Sequence, residues 1–265
     1  MLLTSVVIVL REVLEAALLI SILLATSRRL GLNSRWLKIS LVIGLIGATV
    51  YAHFLGPISA LFGGFGQELV NATLHLLVFL TLIVIVFLVA RHHGHARVTD
   101  RLLPLMMAAA VAVATAQEGS EIIVYVTGFL QVSGFLGSVG IGSLTGAGIG
   151  LSVGIFFYYL LLSLPYQRAH WISLALLGVA AASMSAQVST MLIQADFLSA
   201  AGPVWDTSWL VDEQSLPGQL LFALVGYEST PSLVEVVIYA ASLLVVIAAV
   251  LLGRTVMYDR DGESL

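Results

Sequence analysis

The chain has 265 residues, of which 59% are hydrophobic and only 10% are charged, and its mean hydropathy is +1.05. Soluble domains carry about 25% charged residues, so this composition excludes an ordinary soluble domain and predicts a polytopic membrane protein. The net charge is -4 and there is no cysteine, which excludes disulfides and thiolate metal sites and leaves oxygen or imidazole as metal ligands.

Seven apolar runs are long enough to cross a bilayer, which takes about 20 residues. In chain order they cover residues 2–27, 39–56, 72–91, 102–130, 138–164, 171–195 and 232–253. The first run contains Arg11, Glu12 and Glu15, and no basic segment precedes it, so we expect a retained span and not a cleaved signal peptide. The sequence therefore predicts an all-α membrane protein with seven transmembrane helices.

The basic residues between the runs predict the orientation of the chain. Ten of the 11 Lys and Arg residues lie in the first, third and fifth loops and in the C-terminal tail, and the positive-inside rule makes these segments cytoplasmic. The opposite loops contain acidic residues and neither Lys nor Arg. We therefore expect the N-terminus outside and the C-terminus in the cytoplasm.

The first and fourth runs each carry two glutamates three residues apart. Glu12 and Glu15 correspond to Glu118 and Glu121 at an offset of 106 residues. Because the fourth span would run opposite to the first, this correspondence predicts a 3+3 inverted repeat, a plan in which transporters often place their site at the midplane.

The repeat predicts how the chain divides. Residues 1–101 form the first three-helix repeat and 102–199 the second, inverted one; 200–231 are an external loop, and 232–265 are the seventh helix and a cytoplasmic tail.

Small residues in the second span of each unit agree with this division. The same offset of 106 places Ser40 on Gly146, Gly44 on Gly150 and Ala48 on Gly154. Together with Gly142, the glycines form a stripe at four-residue spacing that allows close approach of helix backbones. The stripe indicates packing inside the protein or between protomers of a homo-oligomer.

The four intramembrane glutamates are the main candidate site. Glutamates three residues apart share one face of a helix, and two such faces from antiparallel helices can present four carboxylates to one point. Each charge at the bilayer centre costs roughly 2.5–3.5 kcal/mol on insertion scales, and such residues are functional by default. Oxygen-rich sites suit hard cations, so we predict a midplane metal site, with structural ion pairs to Arg11 as the alternative.

The motif Arg-Glu-x-x-Glu in the first span, with Gln-Glu-x-x-Glu in the fourth, resembles the high-affinity iron permease family, of the fungal oxidase-coupled and bacterial EfeU types. The segment 226–232, followed by Glu235, is similar to the family's entry into its last span, and Gln67-Glu68-Leu69 is similar as well. Gln117 stands where the family usually has Arg, and Val13 where it usually has Gly.

The resemblance implies a permease, and not an enzyme, that moves Fe³⁺ or Fe²⁺ into the cytoplasm. Iron is then the transported substrate, no organic cofactor is required, and the coordinating residues are Glu12, Glu15, Glu118 and Glu121. Formally, four carboxylates and Arg11 sum to -3, which favours ferric iron. The alternative is a transporter of another divalent cation, or a proton-coupled carrier, on the same plan. The sequence contains no H-E-x-x-H, G-x-S-x-G or cysteine nucleophile that would indicate an enzyme.

Other residues are weaker candidates. Glu68, Glu228 and Glu235, near the outer ends of spans, could draw cations inward or could be solvated helix-end acids. Tyr125 lies one turn after Glu121 and could support a ligand, although ordinary packing is favoured. His92, His93 and His95 form a cytoplasmic cluster that is read as a solvated basic loop, with iron release as the alternative.

The expected surroundings follow from the resemblance and the short loops. Membrane lipid surrounds the protein, and a bacterial cell inner membrane is favoured over a fungal plasma membrane. Family members work with a ferroxidase or a periplasmic iron-handling protein, and the acidic segment 200–232 is where such a partner would dock. Nothing in the sequence indicates a nucleic-acid partner.

Overall fold

The computed structural model describes residues 2–91, 101–129, 136–200 and 202–262, with side chains up to residue 255. The described residues form eight α-helices and a short 3-10 helix, Leu61–Gly64. The α-helices are α1 (Leu2–Arg29), α2 (Arg35–Ser59), α3 (Gly66–Ala90), α4 (Leu102–Gly128), α5 (Leu136–Ser163), α6 (Tyr166–Gln194), α7 (Leu216–Val225) and α8 (Leu233–Gly262). The prediction of an all-α fold is confirmed.

Six helices in the described parts of the chain are long and apolar enough to cross a membrane. They are α2 to α6 and the Leu233–Thr255 part of α8. At 28 residues α1 is as long as these helices, but Arg11, Glu12 and Glu15 interrupt its apolar character. Each of the seven predicted runs therefore coincides with a helix, six of which meet the criteria for a membrane span.

The helices pack most extensively as three pairs, α1 with α5, α2 with α4 and α3 with α6, while α8 packs on α6 and α3. The glycine stripe of α5 faces α1: a Cβ added to Gly146 would come within 2.5 Å of the Val6 carbonyl oxygen, and one on Gly150 within 2.8 Å of the Val13 side chain. The stripe therefore serves close packing inside the chain.

Aliphatic side chains fill the bundle near the C-terminal ends of α1 and α3 and the beginning of α4. Leu23, Leu82, Ile85 and Leu103 are fully buried there, and Leu177 of α6 belongs to the same cluster. Interiors of this kind are close-packed and hold few voids larger than a water molecule. The interior of this half of the bundle is accordingly filled mainly by aliphatic side chains.

The segment predicted as an external loop contains α7, which packs against α1 and α6. Ser215 directly precedes the helix and caps it, because its hydroxyl accepts a hydrogen bond from the Gly218 amide. It ends at Gly226, which has φ +66° and lies so close to Ser183 of α6 that a Cβ would meet the Ser183 side chain at 2.6 Å. With ten residues α7 is too short to span a bilayer, and it returns the chain into the bundle.

Candidate metal site

Three of the four predicted ligands come together between α1 and α4. One carboxylate oxygen each from Glu12, Glu118 and Glu121 lies within 4.8 Å of the other two. Glu118 is buried, and Glu12 and Glu121 are partly buried. Oxygens on opposite sides of a bound cation are roughly 4–5 Å apart, so this spacing suits one shared ion.

Glu15 lies outside this three-carboxylate group. Its Oε1 is 3.4 Å from Arg11 Nε, and its Oε2 accepts a hydrogen bond from Gln187 Nε2 at 3.2 Å. The side chain is buried. Arg11 reaches it because the two residues are one helical turn apart, and Gln187 reaches it from α6. Both oxygens of Glu15 are therefore already engaged by protein groups.

Arg11 makes a second contact, with α7. Its guanidinium carbon lies 4.0 Å from the centre of the Phe222 ring, within the range of a cation–π interaction. Arg11 therefore links the α1 motif to the helix that was predicted to be an external loop.

Glu121 lines a cavity. Its Oε1 accepts a hydrogen bond from Asn71 Nδ2 at 3.3 Å, and Asn71 Oδ1 accepts one from the Tyr51 hydroxyl at 2.7 Å. The cavity has a volume of about 370 Å³. Its polar lining consists of Tyr51, Gln67, Glu68, Asn71, Ser120, Glu121, Tyr125 and Gln194.

Two of the weaker candidates line the same cavity. Glu68 is partly buried, and its Oε2 has no hydrogen-bond partner among the described residues. The Tyr125 hydroxyl lies 2.7 Å from Ser5 Oγ of α1, which makes Tyr125 a further polar bridge between α1 and α4. Both residues thus lie beside the same cavity as Glu121.

Gln117, the first residue of the second motif, contacts His75 of α3. Gln117 Nε2 lies 2.8 Å from His75 Nδ1 and 3.0 Å from His75 Nε2, while His75 Nδ1 is 3.0 Å from the Asn71 carbonyl oxygen. Because that carbonyl can only accept, the tautomer that satisfies it carries its proton on Nδ1, which leaves Nε2 as the acceptor for the Gln117 amide. Both side chains are buried, so the two motifs begin in different surroundings: Arg11 contacts Phe222 of α7, whereas Gln117 contacts His75 in the interior.

The two remaining acidic candidates lie elsewhere, beside a second cavity of about 400 Å³. Glu235 caps α8: its Oε2 accepts from the Ser232 amide at 2.7 Å, and the Glu235 amide donates to Ser232 Oγ at 3.3 Å. Its Oε1 accepts from the Thr190 hydroxyl at 2.7 Å. Burial and, next, the neighbouring carboxylate of Glu235 raise the pKa of Glu228 to about 7. The two hydrogen bonds between Glu235 and Ser232 give Glu235 a structural role as the cap of α8.

The sequence pointed to Glu12, Glu118, Glu121 and Gln117 but not to the amides of Asn71 and Gln187. Asn71 and His75 are one helical turn apart in an otherwise apolar run, and that pattern was the available signal. His92, His93 and His95 lie outside the described residues.

A family model, the iron permease FTR1 family, matches residues 2–260. The chain belongs to this iron permease family. The membership confirms the resemblance found in the sequence and makes the chain a multi-pass membrane protein of iron transport, in a family of permeases and not of enzymes. Neither a curated protein nor a solved structure matches the chain.

Proposed function

We propose that the protein moves iron into the cytoplasm through a site formed by Glu12, Glu118 and Glu121, with Glu15 beside it. The observation that carries this proposal is the mutual approach of three carboxylate oxygens to within 4.8 Å between two helices of an iron permease family member. Uncompensated carboxylates are expensive in a poorly hydrated interior, and a cation of high charge offsets that cost.

The cavity beside Glu121 is the proposed entry route. It holds Glu68 and Glu121, so a cation entering it meets two carboxylates in succession. The aliphatic cluster of Leu82, Ile85 and Leu103 closes the other half of the bundle. Release to the cytoplasm then requires these helices to separate, as expected for alternating access.

A seven-span inverted repeat with α1 as the first span is supported by the helix pairs. An exchange of α1 with α4, α2 with α5 and α3 with α6 converts the α1–α5 pair into the α4–α2 pair and leaves α3–α6 unchanged. The distribution of Lys and Arg supports an external N-terminus and a cytoplasmic C-terminus.

The contacts of the glycines in α2 and α5 also favour a different alignment of these two helices. A Cβ on Gly146 would meet the Val6 carbonyl, and one on Gly44 would meet the Ala112 carbonyl. Val6 and Ala112 are 106 residues apart, whereas Gly44 and Gly146 are 102 apart. These contacts favour a match of Gly44 with Gly146, one turn before the Gly150 expected from the sequence offset.

Ferric iron is the proposed cargo. The Arg11–Glu15 pair is formally neutral, and Glu12, Glu118 and Glu121 together carry -3 when ionised, equal to the charge of one Fe³⁺ ion. A divalent ion would require one retained proton. Competition between Fe³⁺ and Fe²⁺ for the purified protein tests this, and a preference for Fe²⁺ would overturn it.

The function is tested by iron uptake in cells that express single Glu→Ala variants of Glu12, Glu118 and Glu121. Each variant is expected to insert normally and to lose uptake, while Asp196→Asn, an exposed acid outside the site and outside segment 200–232, should keep it. Normal uptake by a well-inserted variant contradicts the site. Parallel assays with Mn²⁺, Zn²⁺ and protons separate iron transport from the other carriers of the same plan.

The proposed localisation and partners are inferred from the sequence. We place the protein in a bacterial inner membrane, with a ferroxidase or periplasmic iron-handling protein as its partner at the acidic segment 200–232. Fractionation of the native host membranes, and cross-linking from that segment, would test the two statements.

A further inference from the structure

The face of α3 that meets α4 carries two polar contacts in one antiparallel register. Asn71 bonds Glu121 and His75 bonds Gln117, so each step of four residues forward on α3 is matched by four residues back on α4. We call these contacts, Asn71–Glu121 and His75–Gln117, the α3–α4 clamp. Glu118 lies between the two contacted residues in the sequence of α4.

Because the clamp is buried, the loss of either of its contacts is costly in free energy. Asn71, His75 and Gln117 are each at most 5% exposed. A buried amide or imidazole that loses its partner incurs the full cost of desolvation. The pairs therefore oppose any sliding of α4 along α3, and any rotation of α4 that would turn Glu118 and Glu121 away from Glu12.

The hydrogen-bond directions distinguish positioning from coordination. Asn71 and Gln117 contribute N–H groups to these contacts, and an N–H group repels a cation. Both ring nitrogens of His75 lie within hydrogen-bond distance of protein groups, Nδ1 of the Asn71 carbonyl and both nitrogens of Gln117 Nε2. His75 also lies outside the group of three carboxylates that approach one another within 4.8 Å.

We propose that Asn71 and His75 are positioning residues that hold Glu118 and Glu121 of α4 against Glu12 of α1. The proposal rests on the iron site described above and deepens it. Side chains that orient metal ligands in this way typically change metal affinity by 10–100-fold when they are replaced. Gln117 then joins the second motif to α3 through its contact with His75. An arginine at this position would place a positive charge next to the imidazole.

The first test measures the clamp without iron. Purified full-length His75→Leu, Gln117→Leu and the double variant are unfolded by heat in detergent, with Thr73→Val, on the exposed face of α3, as control. Each single variant leaves a polar partner unpaired and should lower Tm, whereas the double variant removes both partners and should lose less than the sum of the two losses. Additive losses would overturn the clamp.

The second test measures ferric iron, supplied as citrate, bound to the same proteins. His75→Leu and the double variant should bind it about 10–100-fold more weakly than wild type, with an all-oxygen coordination shell by X-ray absorption. His75→Gln, which restores an acceptor for Gln117, should recover most of the affinity. Wild-type affinity in His75→Leu, or a nitrogen ligand lost from it, would contradict a positioning role.

The two tests separate the clamp from the proposed function. Absence of iron binding by wild-type protein would remove the iron site, while the Tm cycle would still decide whether His75 and Gln117 are coupled. If the Tm cycle shows coupling but the variants bind iron with normal affinity, the contact between His75 and Gln117 stands and the positioning role is refuted.

Discussion

Gln187 Nε2 donates a hydrogen bond to Glu15 Oε2 across 3.2 Å, joining residues 172 positions apart in the chain. With Arg11 on the other oxygen, this bond separates Glu15 from Glu12, Glu118 and Glu121. Two Glu-x-x-Glu motifs of the same spacing thus have different surroundings: both acids of α4 join the carboxylate group, but only one acid of α1 does.

The first prediction follows from this inequality. Glu118→Gln should weaken ferric iron binding by more than about 100-fold, beyond the range for residues that only orient ligands, whereas Glu15→Gln should fall within about 10–100-fold. Binding titrations on purified variants compare the two. Equal losses would mean that all four carboxylates are equivalent ligands.

The second prediction concerns the contact between α1 and α5. Gly146→Ala should destabilise the protein, because its Cβ would lie 2.5 Å from the Val6 carbonyl oxygen and overpacking costs typically about 1–3 kcal/mol. The matched control is Gly148→Ala, which has open space around its Cβ and gains the better helix propensity of alanine. Thermal unfolding of both variants provides the comparison; a similar Tm for the two would show that the close approach is not limiting.

The third prediction concerns α7. Phe222→Ala should release α7 from α1, because it removes both a buried aromatic side chain and the ring beneath the Arg11 guanidinium. Backbone amide hydrogen exchange in Leu216–Val225 should become faster. Leu216→Ala, at an exposed position of the same helix, is the control, and unchanged exchange in Phe222→Ala would show that this contact does not hold the helix.

The fourth prediction uses the pKa of Glu228, which burial and Glu235 raise from 4.5 to about 7. Between these pH values the folded chain keeps a proton that the unfolded chain has lost, so the contribution of Glu228 to stability declines as pH rises through this window. Glu228→Gln removes the titration, and its Tm advantage over wild type should be larger at about pH 8 than at about pH 5.

Asp206→Asn is the control for this pH dependence. Hydrogen bonds from the hydroxyl and amide of Ser208 lower the pKa of Asp206 from its ordinary value of 3.8, so the carboxylate is ionised in both states throughout the window. Its Tm difference from wild type should be the same at both pH values. A pH-independent difference for Glu228→Gln would contradict the raised pKa.

Much of the fold could be predicted from the sequence because membrane helices can be recognised from the length and composition of apolar runs. Every apolar run coincides with a helix, and the glycine stripe was correctly associated with close packing. What escaped prediction depends on three-dimensional placement. The ten residues of α7 are too few to identify a membrane segment, and the contacts of Gly44 with Ala112 and of Gly146 with Val6 depend on how the helices pack.

The candidate site was predictable to a similar degree. The shared helix face of glutamates three residues apart follows from helix geometry alone, which is why the Glu118–Glu121 pair was expected. The hydrogen-bond partners depend on how neighbouring helices are rotated, so neither Gln187 at Glu15 nor Asn71 at Glu121 could be read from spacing. Whether these residues bind iron stays a prediction.

The most direct measurement is the anomalous X-ray scattering of iron in crystals of the protein soaked with ferric iron. The account predicts a single strong peak between the carboxylates of Glu12, Glu118 and Glu121, lost in Glu118→Gln crystals. A peak only at Glu68 or Glu228, or an undiminished central peak in the variant, would contradict it.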